Sequence, residues 1–166
     1  MKKACSVAIA LGISLFIYTF YRSEKTLVNS IVIMFLSIDT YTSLKSFVAN
    51  SLPLHELIVF SIPGGLWVFC ATAVSDGLYV TVLKRKIMVA IVPVVFAIGL
   101  EFFQLIHLTR GRFDVLDIAA YLFFWSLAAS IFKSDEMDQK KLSPFTLPGA
   151  ICIACLVSVY LAHVNT

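Results

Sequence analysis

Long apolar runs alternate with short polar breaks along this chain. Five runs approach the roughly 17–25 residues that an α-helix needs to cross the hydrocarbon core of a bilayer. They cover 4–20, 54–75, 87–108, 115–132 and 147–163. The stretch 26–50 is patterned differently. Leu27, Ile31, Met34, Ile38, Tyr41, Leu44 and Val48 recur at spacings of three and four, which gathers them into one stripe of a helix. Asn29, Ser30, Asp39, Thr40, Thr42, Ser43 and Lys45 make the remainder polar. A helix so divided lies in the interface plane or across the mouth of a bundle. A spanning placement is the alternative, and it would turn every later loop to the other side.

The expected fold is an all-α, polytopic membrane helix bundle forming a single integral membrane domain over 1–166. It has about five transmembrane helices, one amphipathic interfacial helix and a polar inner loop at 133–143. Within the second run, Pro63-Gly64-Gly65 predicts a kink or a break, because proline removes a helix hydrogen bond and clashes with the preceding turn. A break at membrane depth is tolerated only when buried in protein or lining a cavity. Trp67 beside it reads as a packing residue. Pro144 and Pro148 open the last run, where proline in a first turn does little harm.

Composition strengthens the membrane reading. The 166 residues are 60% hydrophobic and 14% charged, with a mean hydropathy of +0.92. Soluble domains are about half apolar and about a quarter charged, so soluble, disordered and nucleic-acid-binding classes fit poorly. The net charge of +3 does not call for a polyanion partner, and no nucleic acid is expected. Lysine and arginine placement suggests orientation. With the N-terminus inside, the inner segments hold Lys2, Lys3, Lys84, Arg85, Lys86, Lys133, Lys140 and Lys141; the outer ones hold Arg22, Lys25, Lys45, Arg110 and Arg112. The triplet Lys84-Arg85-Lys86, read as the edge of a spanning helix, resists translocation and favours a cytoplasmic N-terminus and an external C-terminus.

The start, Met1-Lys2-Lys3 before an apolar run, resembles a signal peptide. It lacks an A-x-A site and its apolar core exceeds the usual length, so an uncleaved first transmembrane helix is expected. Cys5, Cys70, Cys152 and Cys155 all fall in apolar stretches. Cys152 and Cys155 have C-x-x-C spacing, a metal or redox signal in a soluble chain. No second pair or nearby histidine completes a site, so they read as packing residues, with no metal or cofactor expected.

Polar groups are scarce, and they crowd into one hairpin between 101 and 121. With the turn at Arg110-Gly111, Glu101 lies at the depth of Tyr121, Gln104 at that of Asp117, and His107 at that of Asp114. Glu101 and Gln104 share a face of the third spanning helix; Asp114, Asp117 and Tyr121 share one of the fourth. An acid at a helix centre costs roughly 2.5–3.5 kcal/mol on insertion scales, so such groups face the bundle interior and take partners. Arg110 and Arg112 are the nearest cations, and their donor forks suit carboxylate or phosphate. Structural roles compete at each position. Asp114 with Asp117 three residues on resembles an N-cap with an acidic first turn. Gln104 suits a hydrogen bond between helices, His107 an interfacial position, and Arg110 a headgroup anchor. His55, followed by Glu56, opens the second spanning helix on the same outer side and faces either the same cavity or the surface.

Glu101, Gln104, Arg112 and Asp117, with Phe113-Asp114 between, resemble the motif of the VanZ-like family of small bacterial membrane proteins in residue type, order and spacing. His55 with Phe60 resembles the family's earlier helix opening. Tyr121 stands where that family has an asparagine, and Phe124 falls where glycines are expected. The resemblance covers about a quarter of the chain. It implies a bacterial cell-membrane protein with a cell-envelope role; the founding member is associated with resistance to a glycopeptide antibiotic.

Three functions follow as expectations. The first is a binding protein with an outward-facing polar pocket of Glu101, Gln104, Arg112, Asp114, Asp117, Tyr121 and His55. Its ligand would be an envelope lipid, a precursor or an amphiphilic compound. The second is a membrane-embedded enzyme acting on a lipid-linked substrate, with Glu101 or Asp117 as acid or base; no serine, cysteine or metal cluster completes a familiar nucleophilic set. The third is a small helical subunit of a larger membrane complex, in which the cluster locks helices together.

Overall fold

The computed structural model describes residues 2–23, 27–108, 112–134 and 139–164. The chain is mostly helical. Its helices are α1 (Lys2–Tyr21), α2 (Leu27–Leu36), α3 (Ile38–Ser51), α4 (Glu56–Ser75), α5 (Val92–Leu105), α6 (Val115–Ile131) and α7 (Leu147–Val164). A small sheet of β1 (Leu78–Val82), β2 (Arg85–Met88) and β3 (Lys140–Lys141) completes it.

Helix α4 is the axis of the bundle. It is apolar all round, and a helix of that kind is stable only when surrounded. Its Leu66, Phe69 and Cys70 pack with Ala10 of α1 and Ala128 of α6. Its Val68 packs with Val94 and Ala97 of α5, and Trp67 joins that cluster. The α4–α6 pair forms the most extensive helix contact, followed by α1–α4.

Pro63-Gly64-Gly65 does not break α4, which runs through it. The glycines instead admit α6. A Cβ on Gly64 would stand 2.8 Å from Cε1 of Tyr121, and one on Gly65 would overlap the Phe124 ring. The two aromatics of α6 are thus seated where the α4 backbone is bare.

Several expectations are corrected. The chain is not purely helical. Lys84-Arg85-Lys86 lies not at a helix end but in the β1–β2 hairpin, where Tyr79 pairs with Met88 and Val82 with Arg85. The inner loop at 133–143 supplies β3, which pairs in parallel with Leu78 and Tyr79. The β-branched Val80, Val82 and Ile87 favour strands, which explains why the apolar run 87–108 begins as β2 and a 3-10 turn at Val89–Ile91 rather than as helix. Stretch 26–50 is two helices, not one. They are bent by 118° at Ser37, whose φ of 64° and ψ of 155° belong to a region favoured almost only by glycine.

Among the described residues, α1 over Lys3–Tyr21 and α4 are long and apolar enough to cross a membrane. The bent α2–α3 pair makes a third if it counts as one span. Val89–Leu105 and Val115–Ile131 are apolar but shorter. At 1.5 Å per residue such helices reach about 25 Å, just short of the roughly 30 Å hydrocarbon core.

The bundle has two distinct ends. One carries the start of α1, the end of α4, the sheet and the end of α6. There Lys3 pairs with Asp76 at 3.3 Å, and Ser134 donates to Asp76 through both its N–H and its hydroxyl. The other carries α2 and α3, the start of α4 and the α5–α6 turn. Tyr41 there donates to Thr19 O at 2.8 Å, tying α3 to α1.

Candidate functional site at the α5–α6 turn

Glu101 sits on α5 one turn before the helix ends at Leu105. The expected run to 108 is cut short because His107 takes a φ of 57°. Glu101 is therefore about 6 Å from its helix end at 1.5 Å per residue, not at the centre of a span. It is nonetheless buried, with 3% exposure.

Both carboxylate oxygens are engaged. The Tyr121 hydroxyl donates to Oε1 at 3.2 Å. The Asp114 N–H donates to Oε2 at 3.3 Å. With its amide oriented to satisfy its neighbours, Gln104 donates to Oε2 at 3.2 Å and to the Arg112 carbonyl at 3.0 Å. One acid thus gathers three donors from both arms of the hairpin and the start of α6, which offsets the cost of its burial.

Asp114 serves two helices. Its side chain caps α6, accepting from the Leu116 N–H at 2.9 Å, while its backbone holds Glu101. Asp117 follows in the first turn, where its charge complements the helix dipole. It is half-buried, and its Oδ1 is buried without a hydrogen-bond partner among the described residues. Arg112 is exposed. Among the described residues no ion pair joins it to Glu101, although the sequence made it one of the two nearest cations. Its carbonyl belongs to the network, while the residue as a whole is exposed. Arg110 lies outside the described residues.

His107 is exposed. Among the described residues no hydrogen bond joins His55 to the cluster. Its Nδ1 accepts from the Leu57 N–H at 3.3 Å, so the ring caps its own helix. The sequence reading missed Asp76, whose signal was an acid beside a glycine, directly after an apolar run and at the lysine-rich end. It also missed that Gly64 and Gly65 make room for Tyr121 and Phe124. Of the C-x-x-C, Cys152 is buried with its Sγ 3.2 Å from the Ser75 hydroxyl, consistent with packing between α7 and α4.

Compared with protein-family models, curated proteins and solved structures, the chain matches none. The VanZ-like resemblance rests on the hairpin motif and on His55 with Phe60.

Proposed function

We propose that this chain is a VanZ-like integral membrane protein of the bacterial cell envelope, with five spanning helices and a cytoplasmic N-terminus. The mouth of its α5–α6 hairpin, facing outward, holds a headgroup. Glu101 organises the hairpin, and Arg112 and Asp117 meet the ligand. The observation that carries this division is that Glu101 has both oxygens satisfied, whereas the Asp117 Oδ1 has no partner among the described residues and Arg112 is exposed. An anion suits the Arg112 fork and a hydroxyl or amine donor suits Asp117. An envelope lipid, a lipid-linked precursor or an amphiphilic compound carries both.

The test is mass spectrometry of lipid retained by the full chain after purification in mild detergent. Arg112→Gln and Asp117→Asn each reduce a specific retained species without loss of membrane insertion. Equal retention by both variants and the parent would defeat the reading. The saturation of Glu101 by internal donors also favours a second reading, in which the cluster only locks helices within a larger membrane complex. In that case Glu101→Ala lowers expression and no ligand depends on Arg112. Turnover of a labelled envelope lipid abolished by Glu101→Gln would instead select the membrane-embedded enzyme.

A further inference from the structure

The basic residues that were expected at a helix edge are organised by the small sheet, and this changes what they can do. Strand β1 starts two residues after Asp76 caps α4, so the sheet lies where the central helix emerges. One face, with Leu78 and Val80, packs on Val89, Val92 and Cys152. The other carries Tyr79 and Thr81. Register puts Lys86 opposite Thr81 and Lys141 opposite Tyr79, so both lysines belong to this free face. Lys86 lies 5.0 Å from the centroid of the Tyr79 ring. Register puts Arg85 opposite Val82 and Lys140 opposite Leu78, on the packed side of the sheet, where both remain exposed along its two edge strands.

The hairpin turn adds an apolar tip. Leu83 and Lys84 have φ of 49° and 65°, positions that two-residue turns normally give to Asn and Gly. Leu83 is 92% exposed, with Val82 at 47% and Ile87 at 41%. Asp76, the acid at this end among the described residues, is already held by Lys3 and Ser134. In sequence, the segments 2–3, 76–86 and 133–141 carry eight basic residues against four acids, Asp76, Asp135, Glu136 and Asp138.

We propose that the β1–β2–β3 sheet is a docking surface for anionic phospholipid headgroups, with Lys86 and Lys141 on its free face, Lys84 at its turn and Arg85 and Lys140 along its edges holding phosphates, and the Leu83 tip dipping into the acyl boundary. The proposal rests on the membrane reading of α1 and α4 but not on the ligand of the α5–α6 turn, which lies at the opposite end of the helices. Exposed cations flanking an apolar tip, at the level where spanning helices end, match an anionic leaflet in charge and in polarity. Each basic residue near such a surface contributes about fivefold in affinity, and salt screens the effect.

The experiment is native mass spectrometry of the intact chain released from nanodiscs of phosphatidylcholine mixed with phosphatidylglycerol. The parent retains phosphatidylglycerol preferentially, less so at high salt. The triple K84Q/R85Q/K86Q and the double K140Q/K141Q both lose the preference, while their melting temperatures in phosphatidylcholine alone match the parent. Should the triple fail to fold, the single K86Q and the double carry the test. The proposal is overturned if the parent shows no preference, if the folded variants keep it, if R112Q loses it instead, or if the sheet variants lose only a co-purifying protein.

Discussion

Removing one oxygen atom tests the network at the hairpin. Tyr121→Phe keeps the ring that fills the bare face at Gly64 and deletes only the hydroxyl that donates to Glu101 Oε1. A hydrogen bond to a charged or strongly polar group contributes about 1.5–3 kcal/mol in soluble proteins. Interhelical bonds in membranes average about 0.6 kcal/mol and reach about 1.7. Glu101 is buried at 3% exposure, so its stranded oxygen has little access to solvent, and the loss should lie near the upper membrane figure, about 1–2 kcal/mol. For a chain of this size that lowers the melting temperature by about 2–8 °C. The assay is reversible unfolding in detergent of the parent, Tyr121→Phe, Glu101→Met and the double variant. The double-variant cycle should return a coupling above about 0.5 kcal/mol, the level at which independent sites still add. Coupling within that margin would mean that the two side chains do not meet, and the network built around Glu101 would be wrong.

Gly65→Ala should cost about 1–3 kcal/mol by overpacking, read by the same melts, and Phe124→Ala in the same chain should restore part of it, because the added methyl meets that ring. Asp114→Ala should lose about 1 kcal/mol with its cap and, because the backbone N–H to Glu101 remains, should be milder than Glu101→Ala. Ser37→Gly distinguishes two folds by sign. At the observed φ it relieves strain of about 1–3 kcal/mol, whereas in one continuous helix it would cost about 1 kcal/mol; raised or lowered melting temperature decides. Asp76→Asn should loosen the lysine-rich end, seen as faster hydrogen exchange in β1 and around Ser134 with the α5–α6 turn unchanged.

The helices were legible where a single apolar run is also a single helix. Runs 4–20, 115–132 and 147–163 agree closely with α1, α6 and α7, because hydropathy and helix length act within one segment. The facing of Glu101 and Tyr121 was readable too, since counting from the turn of an antiparallel pair gives depth. What the sequence could not give was anything settled between segments. The run 87–108 is apolar throughout, and hydropathy does not distinguish a strand from a helix; pairing with β1 decides that its first residues are extended. The stripe over 26–50 keeps its period through Ser37, yet the backbone turns there, because Tyr41 and Asn29 reach back to α1. Pro63-Gly64-Gly65 resembled a helix breaker, and only the neighbouring α6 shows why a bare backbone is needed. The local chain, in short, determined an apolar helical protein with one polar hairpin. Tertiary structure decided which donors satisfy the buried acid and left Arg112 exposed, because hydrogen bonds depend on distance in space, and composition carries none.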